Sequence, residues 1–270
     1  MSTFILLSHE RSGSHFVGEY LALHSGLKVF DEVCNPHAVP PHEREESVFR
    51  HLHDYLARHP DLLLRHDFDR HYAWVESYFL HLSELAGQAG ASHAVVDIKY
   101  GHIHRFEQHW WQSIDRPLLF WFCQWSGIRV IHLHRENVVE ACVSMSISGQ
   151  SQIWHSWQKG AAEKRKPQGV RVDVKQVIER CHSLVVQRNL VETWLRDVQA
   201  LSMTYERVAA GLPDGPAASE LSAFLGLPRT APAEFQHARL PRTMAEVVEN
   251  YDELRAACLL AGYGRFIDAA

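Results

Sequence analysis

Long apolar runs are missing from this 270-residue chain: the longest, PLLFWFCQW at residues 117–125, is far below the ~20 residues that span a bilayer. No membrane span is expected. The N-terminus lacks a basic segment followed by an extended apolar one, so no signal peptide is read and a cytoplasmic location is expected. Paired cysteines are missing too. The five, at 34, 123, 142, 181 and 258, share no short spacing. That argues against a zinc knuckle or disulfide framework and fits a reducing compartment. Excess positive charge is absent, because the formal net charge is -5. General polyanion binding, and so a nucleic-acid partner, is disfavoured. No H-E-x-x-H helix motif accompanies the 20 histidines, so no metal is expected. No repeat and no clean linker divides the chain, and a single domain over 1–270 is expected.

What is there is an ordinary enzyme composition, 46% apolar and 22% charged, with a sizeable core. Short apolar runs predict strands at 3–8, 93–99, 128–134 and 200–205. Helical periodicity predicts helices near 15–25, 45–58, 72–87, 136–148 and 173–198. Strands alternating with helices imply an α/β fold whose mainly parallel sheet is covered on both faces.

Three segments carry chemistry. The first is SHERSGSHF, residues 8–16. It reads as strand, tight loop and helix, a geometry that offers backbone N–H groups to an anion. It lacks the lysine and glycines of G-x-x-x-x-G-K-[ST]. The cation inside the loop is Arg11. The second is HLHRENVVEACVSM, residues 132–145, where a strand ends on Arg135 and the next helix presents Ser144. An arginine and a serine so placed can grip a phosphate. The third, residues 201–228, reads as a closing strand and helix. In open α/β sheets ligands lie beyond the carboxyl ends of the strands, where Arg11 and Arg135 would both sit.

Together these segments resemble the sulfotransferases that use 3′-phosphoadenosine 5′-phosphosulfate (PAPS). Residues 95–103, VVDIKYGHI, and 242–267 are similar to the bacterial carbohydrate branch, which includes Nod-factor and trehalose sulfotransferases. The resemblance implies a P-loop-like three-layer α/β fold and sulfuryl transfer from PAPS, leaving PAP, with no metal. It implies that Arg11, Ser12, Gly13, Ser14 and His15 hold the 5′-phosphosulfate and that Phe16 lies near the adenine. It places Arg135 and Ser144 on the 3′-phosphate. Some members carry a second cation where this chain has His134.

The acceptor must lose a proton, so a base is required. By resemblance to bacterial relatives Glu32 is the first candidate and Asp31 the second; His15 and His37 are the histidine rivals. Arg11 and Lys99 complete the expected catalytic set, Lys99 orienting the acceptor or neutralising the sulfuryl group. Capping of a helix C-terminus is the plainer role for Lys99. The acceptor, a small molecule, glycan or glycolipid, is expected against residues 36–90 and 145–172, where Trp74, Tyr78, Trp110, Trp111, Trp154 and Trp157 could stack on sugars or fill a core. The charged segment 158–171 reads as a basic lid or a solvated loop. A P-loop kinase is the main alternative, since it would share the fold.

Overall fold

The computed structural model describes residues 2–35, 51–64, 68–107, 116–151, 169–227 and 243–267. His37, Trp110, Trp111, Trp154, Trp157 and most of the expected lid at 158–171 lie outside these residues.

Two compact units are present: Met1–His134 with Leu190–Gln236, and Arg135–Asn189 with His237–Ala270. The first holds all five strands: β1 (Ser2–Ser8), β2 (Leu27–Phe30), β3 (His93–Lys99), β4 (Arg129–His134) and β5 (Ala200–Thr204). Their order is β2-β3-β1-β4-β5 and every pairing is parallel. The P-loop-like α/β reading is therefore the observed architecture. β1 runs up the centre; the chain leaves it toward β2 and β3, then crosses to β4 and β5. Where such an order reverses, the carboxyl ends of the strands form a crevice.

Around the sheet are α1 (Ser14–Ala22), α2 (His51–Arg58), α3 (Phe68–Gln88), α4 (Leu118–Ser126), α7 (Tyr205–Gly211) and α8 (Pro216–Leu225). The same apolar run that is too short for a membrane makes α4, which ends at Gly127 with φ 71°. Alternate strand residues face alternate sides. Phe4, Leu6, Val95, Ile131, Leu133 and Met203 pack with Phe16, Val17, Tyr20 and Leu21 of α1 into one core. On β3, Asp97 and Lys99 continue the side that Val95 begins, so two charged residues point toward α1 rather than into solvent. β2 is not visible as an apolar run, because Lys28 interrupts four residues at a sheet edge.

The second unit contains α5 (Val138–Ser151), most of α6 (Val174–Trp194) and the short α9 (Met244–Val247), α10 (Tyr251–Leu260) and α11 (Gly264–Ile267). A parallel bridge joins Val170 to Val248. Asn250 ties the segments further: its amide donates to the Val172 carbonyl at 3.0 Å, and its Oδ1 accepts from Val172 N–H at 3.0 Å.

Candidate active site

β1 ends at Ser8, and the chain turns through Arg11, Ser12 and Gly13 into α1. Two features make this turn possible. Gly13 has φ 86°, a left-handed conformation that L side chains rarely adopt. A Cβ there would also lie 2.3 Å from Cδ2 of Tyr205, so the Tyr205 ring closes the loop from the start of α7. Arg11, at φ 62°, is also left-handed.

The loop delivers an open helix start. No side chain caps α1, and no acidic residue lies in its first turn. The N–H groups of Ser14, His15 and Phe16 precede the first intrahelical bond, Val17 N–H to the Gly13 carbonyl at 3.1 Å. Such groups, with the helix dipole, favour an anion. Ser12 is 1% exposed, and its hydroxyl has no hydrogen-bond partner among the described residues. A buried, unmatched donor in a phosphate-type loop is what an absent anionic ligand would satisfy.

Lys99 lies against the same helix start. It is 3% exposed. Its ammonium donates to Ser14 Oγ, to Ser8 Oγ at 3.3 Å, and to Asp97 Oδ1 and Oδ2 at 2.8 and 2.7 Å. Glu32 Oε1 stands 3.8 Å away. Lys99 is followed by a 3-10 turn, Tyr100–Phe106, so it caps no helix C-terminus. Burial alone would lower its pKa; Asp97 and Glu32 outweigh that and hold it above the ordinary lysine value. Burial pushes the Asp97 carboxyl up, to about 6, against the opposing pull of Lys99; Glu32 and Asp31 add to the rise.

Glu32 follows β2 with φ 38°. Among the described residues, Arg11 and Glu32 are the non-glycine positions with positive φ. Both fall in this site, where such conformations tend to concentrate. Asn35 fixes the Glu32 side chain, donating from Nδ2 to Oε2 at 2.7 Å.

His15 faces two carboxylates, which argues against it as the base. Its Nε2 lies 2.9 Å from Glu19 Oε1 and its Nδ1 lies 3.5 Å from Asp31 Oδ2. Burial opposes the charge, yet the nearby carboxylates of Asp31 and Glu19 raise its pKa to about 9. At neutral pH it is a cation next to the loop, and Asp31 is its partner. Phe16 is 8% exposed and belongs to the core, so most of its ring is committed to packing. Trp74 and Tyr78 are likewise buried.

Sequence reasoning passed over three participants. Asp97 lies inside a strand, and only the facing of β3 shows it paired with Lys99. Tyr205 gives no local signal for its contact with Gly13. His102, in the turn after β3, has a buried Nδ1 with no hydrogen-bond partner among the described residues. Burial lowers its pKa to about 4, with Glu32 opposing and Lys99 adding to the drop. It is a neutral imidazole within the field of both groups.

The second unit carries the other expected grip. Arg135 is buried and pairs with Glu140 Oε1 at 2.5 Å. The start of α5 is capped, because Asn137 Oδ1 accepts from Glu140 N–H at 3.0 Å. Ser144 lies on α5, half-buried. Among the described residues no His, Cys, Asp and Glu group has a metal-binding arrangement, and no helix is long and apolar enough to cross a membrane.

Comparison with known proteins adds a family. Residues 125–248 match the family model described as Stf0 sulphotransferase. Curated proteins give no match. A solved sulfotransferase from Alicyclobacillus acidocaldarius aligns at a TM-score of 0.44 and 12% identity, over 100% of this chain and 95% of that one. The family match contains Arg135 and Ser144; the opening loop, Glu32 and Lys99 precede it. Residues 125–248, a little under half of the chain, are thus similar to the Stf0 sulphotransferase family.

Proposed function

We propose that the chain transfers a sulfuryl group from PAPS to a hydroxyl of a small-molecule or glycan acceptor, the two units acting as one sulfotransferase domain. The observation that carries this reading is the open start of α1, with a buried unmatched Ser12 hydroxyl and a buried lysine beside it. These residues fit the 5′ end of such a donor. Ser12, Gly13 and Ser14 would cradle it through backbone N–H groups and hydroxyls, with Arg11 and the cationic His15 as flanking charge. Arg135 and Ser144 would hold the 3′-phosphate. That assignment is supported by the family match over their segment. Arg135 would exchange Glu140 for the phosphate.

The bound donor supplies the reactive sulfur. Glu32 takes the acceptor hydroxyl proton on a carboxylate oxygen while Asn35 orients it. Lys99, at the α1 start, stabilises the negative charge that develops on the leaving phosphate oxygen, as fixed cations do in phosphoryl transfer. The sugar-type acceptor is suggested by the resemblance to the carbohydrate branch.

The test is incubation of the purified chain with PAPS and a panel of sugars, glycolipids and small alcohols, read by mass spectrometry. Sulfated product with PAPS supports the reading. Phosphorylated product with ATP, and none with PAPS, would replace it with the kinase alternative.

A further inference from the structure

We propose that Asp97 is a positioning residue of this site: it pins the Lys99 ammonium under the start of α1 and so keeps it from closing on Glu32. The inference rests on the sulfuryl-transfer reading, in which Glu32 must stay free to accept a proton.

Asp97 is 1% exposed within β3, and both of its oxygens accept from Lys99 Nζ. A buried ion pair is a poor stabiliser, since apolar residues of the same volume often do as well or better. What it supplies is position. An ammonium has three protons on a flexible stem. Here Ser8, Ser14 and Asp97 take them up. Glu32 is left at 3.8 Å, within the field of the cation but beyond a close hydrogen bond.

Remove the Asp97 charge and the balance changes in one direction. Lys99 then keeps Glu32 and, with a weaker pull, Asp31 as its carboxylate neighbours, and it is drawn toward Glu32. A closer cation favours the ionised carboxylate, so Glu32 becomes a weaker base. The lost repulsion between Asp97 and Glu32 acts the same way. Turnover therefore falls and its acid limb moves to lower pH. Donor binding, which draws on the loop, changes little.

The experiment compares wild type, Asp97→Asn, Lys99→Met and the double variant. For Asp97→Asn the expected result is kcat reduced roughly tenfold or more, an acid limb about one pH unit lower, and PAP affinity within about threefold. The double variant should lose far less relative to Lys99→Met than Asp97→Asn loses relative to wild type, because Asp97 acts mainly through Lys99 and its direct repulsion of Glu32 is the smaller part. A wild-type pH profile in Asp97→Asn, or losses that add in the double variant, would overturn the proposal. Carbon-13 NMR titration of the Glu32 carboxyl gives a readout that needs no turnover. Its midpoint should fall in Asp97→Asn and rise in Lys99→Met. If Asp97→Asn does not fold, Lys99→Met decides: an unmoved Glu32 midpoint shows that the ammonium is not coupled to the base. A wild-type protein that moves no sulfate from PAPS would defeat the proposed function, while the titration would still decide the role of Asp97.

Discussion

The two regions that would hold the ends of the donor are built differently. In the first unit the helix start at Ser14 is uncapped, flanked by a buried lysine and an unmatched serine hydroxyl. In the second, the start of α5 is capped by Asn137, and Arg135 is already paired with Glu140. The first region is arranged for an anion before one arrives. The second would have to give up the Arg135–Glu140 ion pair to accept one. Affinity should therefore draw on the loop for a prepared seat and on Arg135 for discrimination, since an exchanged partner rewards only a ligand with a phosphate to offer.

The largest effect that sharpens this contrast is on chemistry in the first region. Glu32→Gln keeps the shape and removes the proposed base. A fall in kcat of about 100- to 10,000-fold is expected, with PAP affinity within about threefold. Single-turnover transfer and PAP titration separate the two. A variant with near-wild-type turnover would move the role of base to another group, with His102 the next residue to replace.

Arg135 comes next. Arg135→Ala removes charge-assisted bonds worth ~1.5–3 kcal/mol, so PAP affinity should drop roughly tenfold to a hundredfold. Adenosine 5′-phosphosulfate, which lacks the 3′-phosphate, should be nearly unaffected. Glu140→Gln should leave PAP affinity unchanged or improve it a few-fold, since it removes the competing carboxylate. Weaker PAP binding in Glu140→Gln would mean that the pair organises Arg135 rather than occupying it.

The smallest effect is on stability. In the folded chain the carboxylates of Asp31 and Glu19 outweigh burial and push the His15 pKa up to about 9, above the unfolded value of ~6.5. Its ion pairs with Asp31 and Glu19 therefore stabilise the fold fully below pH ~6.5, and that contribution is lost as pH rises through 9. With Glu19 partly in solvent, the loss is on the order of 1–2 kcal/mol. Urea unfolding between pH 6.5 and 9.5 should show this decline in wild type and a flatter profile in His15→Gln. Parallel profiles would remove His15 from the charge network of the loop.

The same contrast separates what could be read in the sequence from what could not. Four strands were legible as short, mostly apolar segments, and β2 was not, because it is only four residues long and one of them is Lys28. The segment around Arg135 was legible as a family motif, and residues 125–248 match the family on their own. The first region was legible only as a loop. Its chemistry depends on which side of β3 faces α1, and periodicity alone does not bring Asp97, Lys99, Ser14 and Glu32 together from three separate segments. His15 shows the converse: its position suggested a base, and only the carboxylates of Glu19 and Asp31 reveal a cation. Gly13 was legible as a turn, while the reason no other residue fits, the ring of Tyr205, comes from 192 positions further along the chain.

The measurement that bears most directly on the central claim is calorimetric titration of the wild-type chain with PAP and with ATP, under identical salt and without added metal. PAP is expected to bind at least tenfold more tightly, because Arg135 would gain a 3′-phosphate that ATP does not offer. ATP binding as tightly as PAP, or more so, would contradict it.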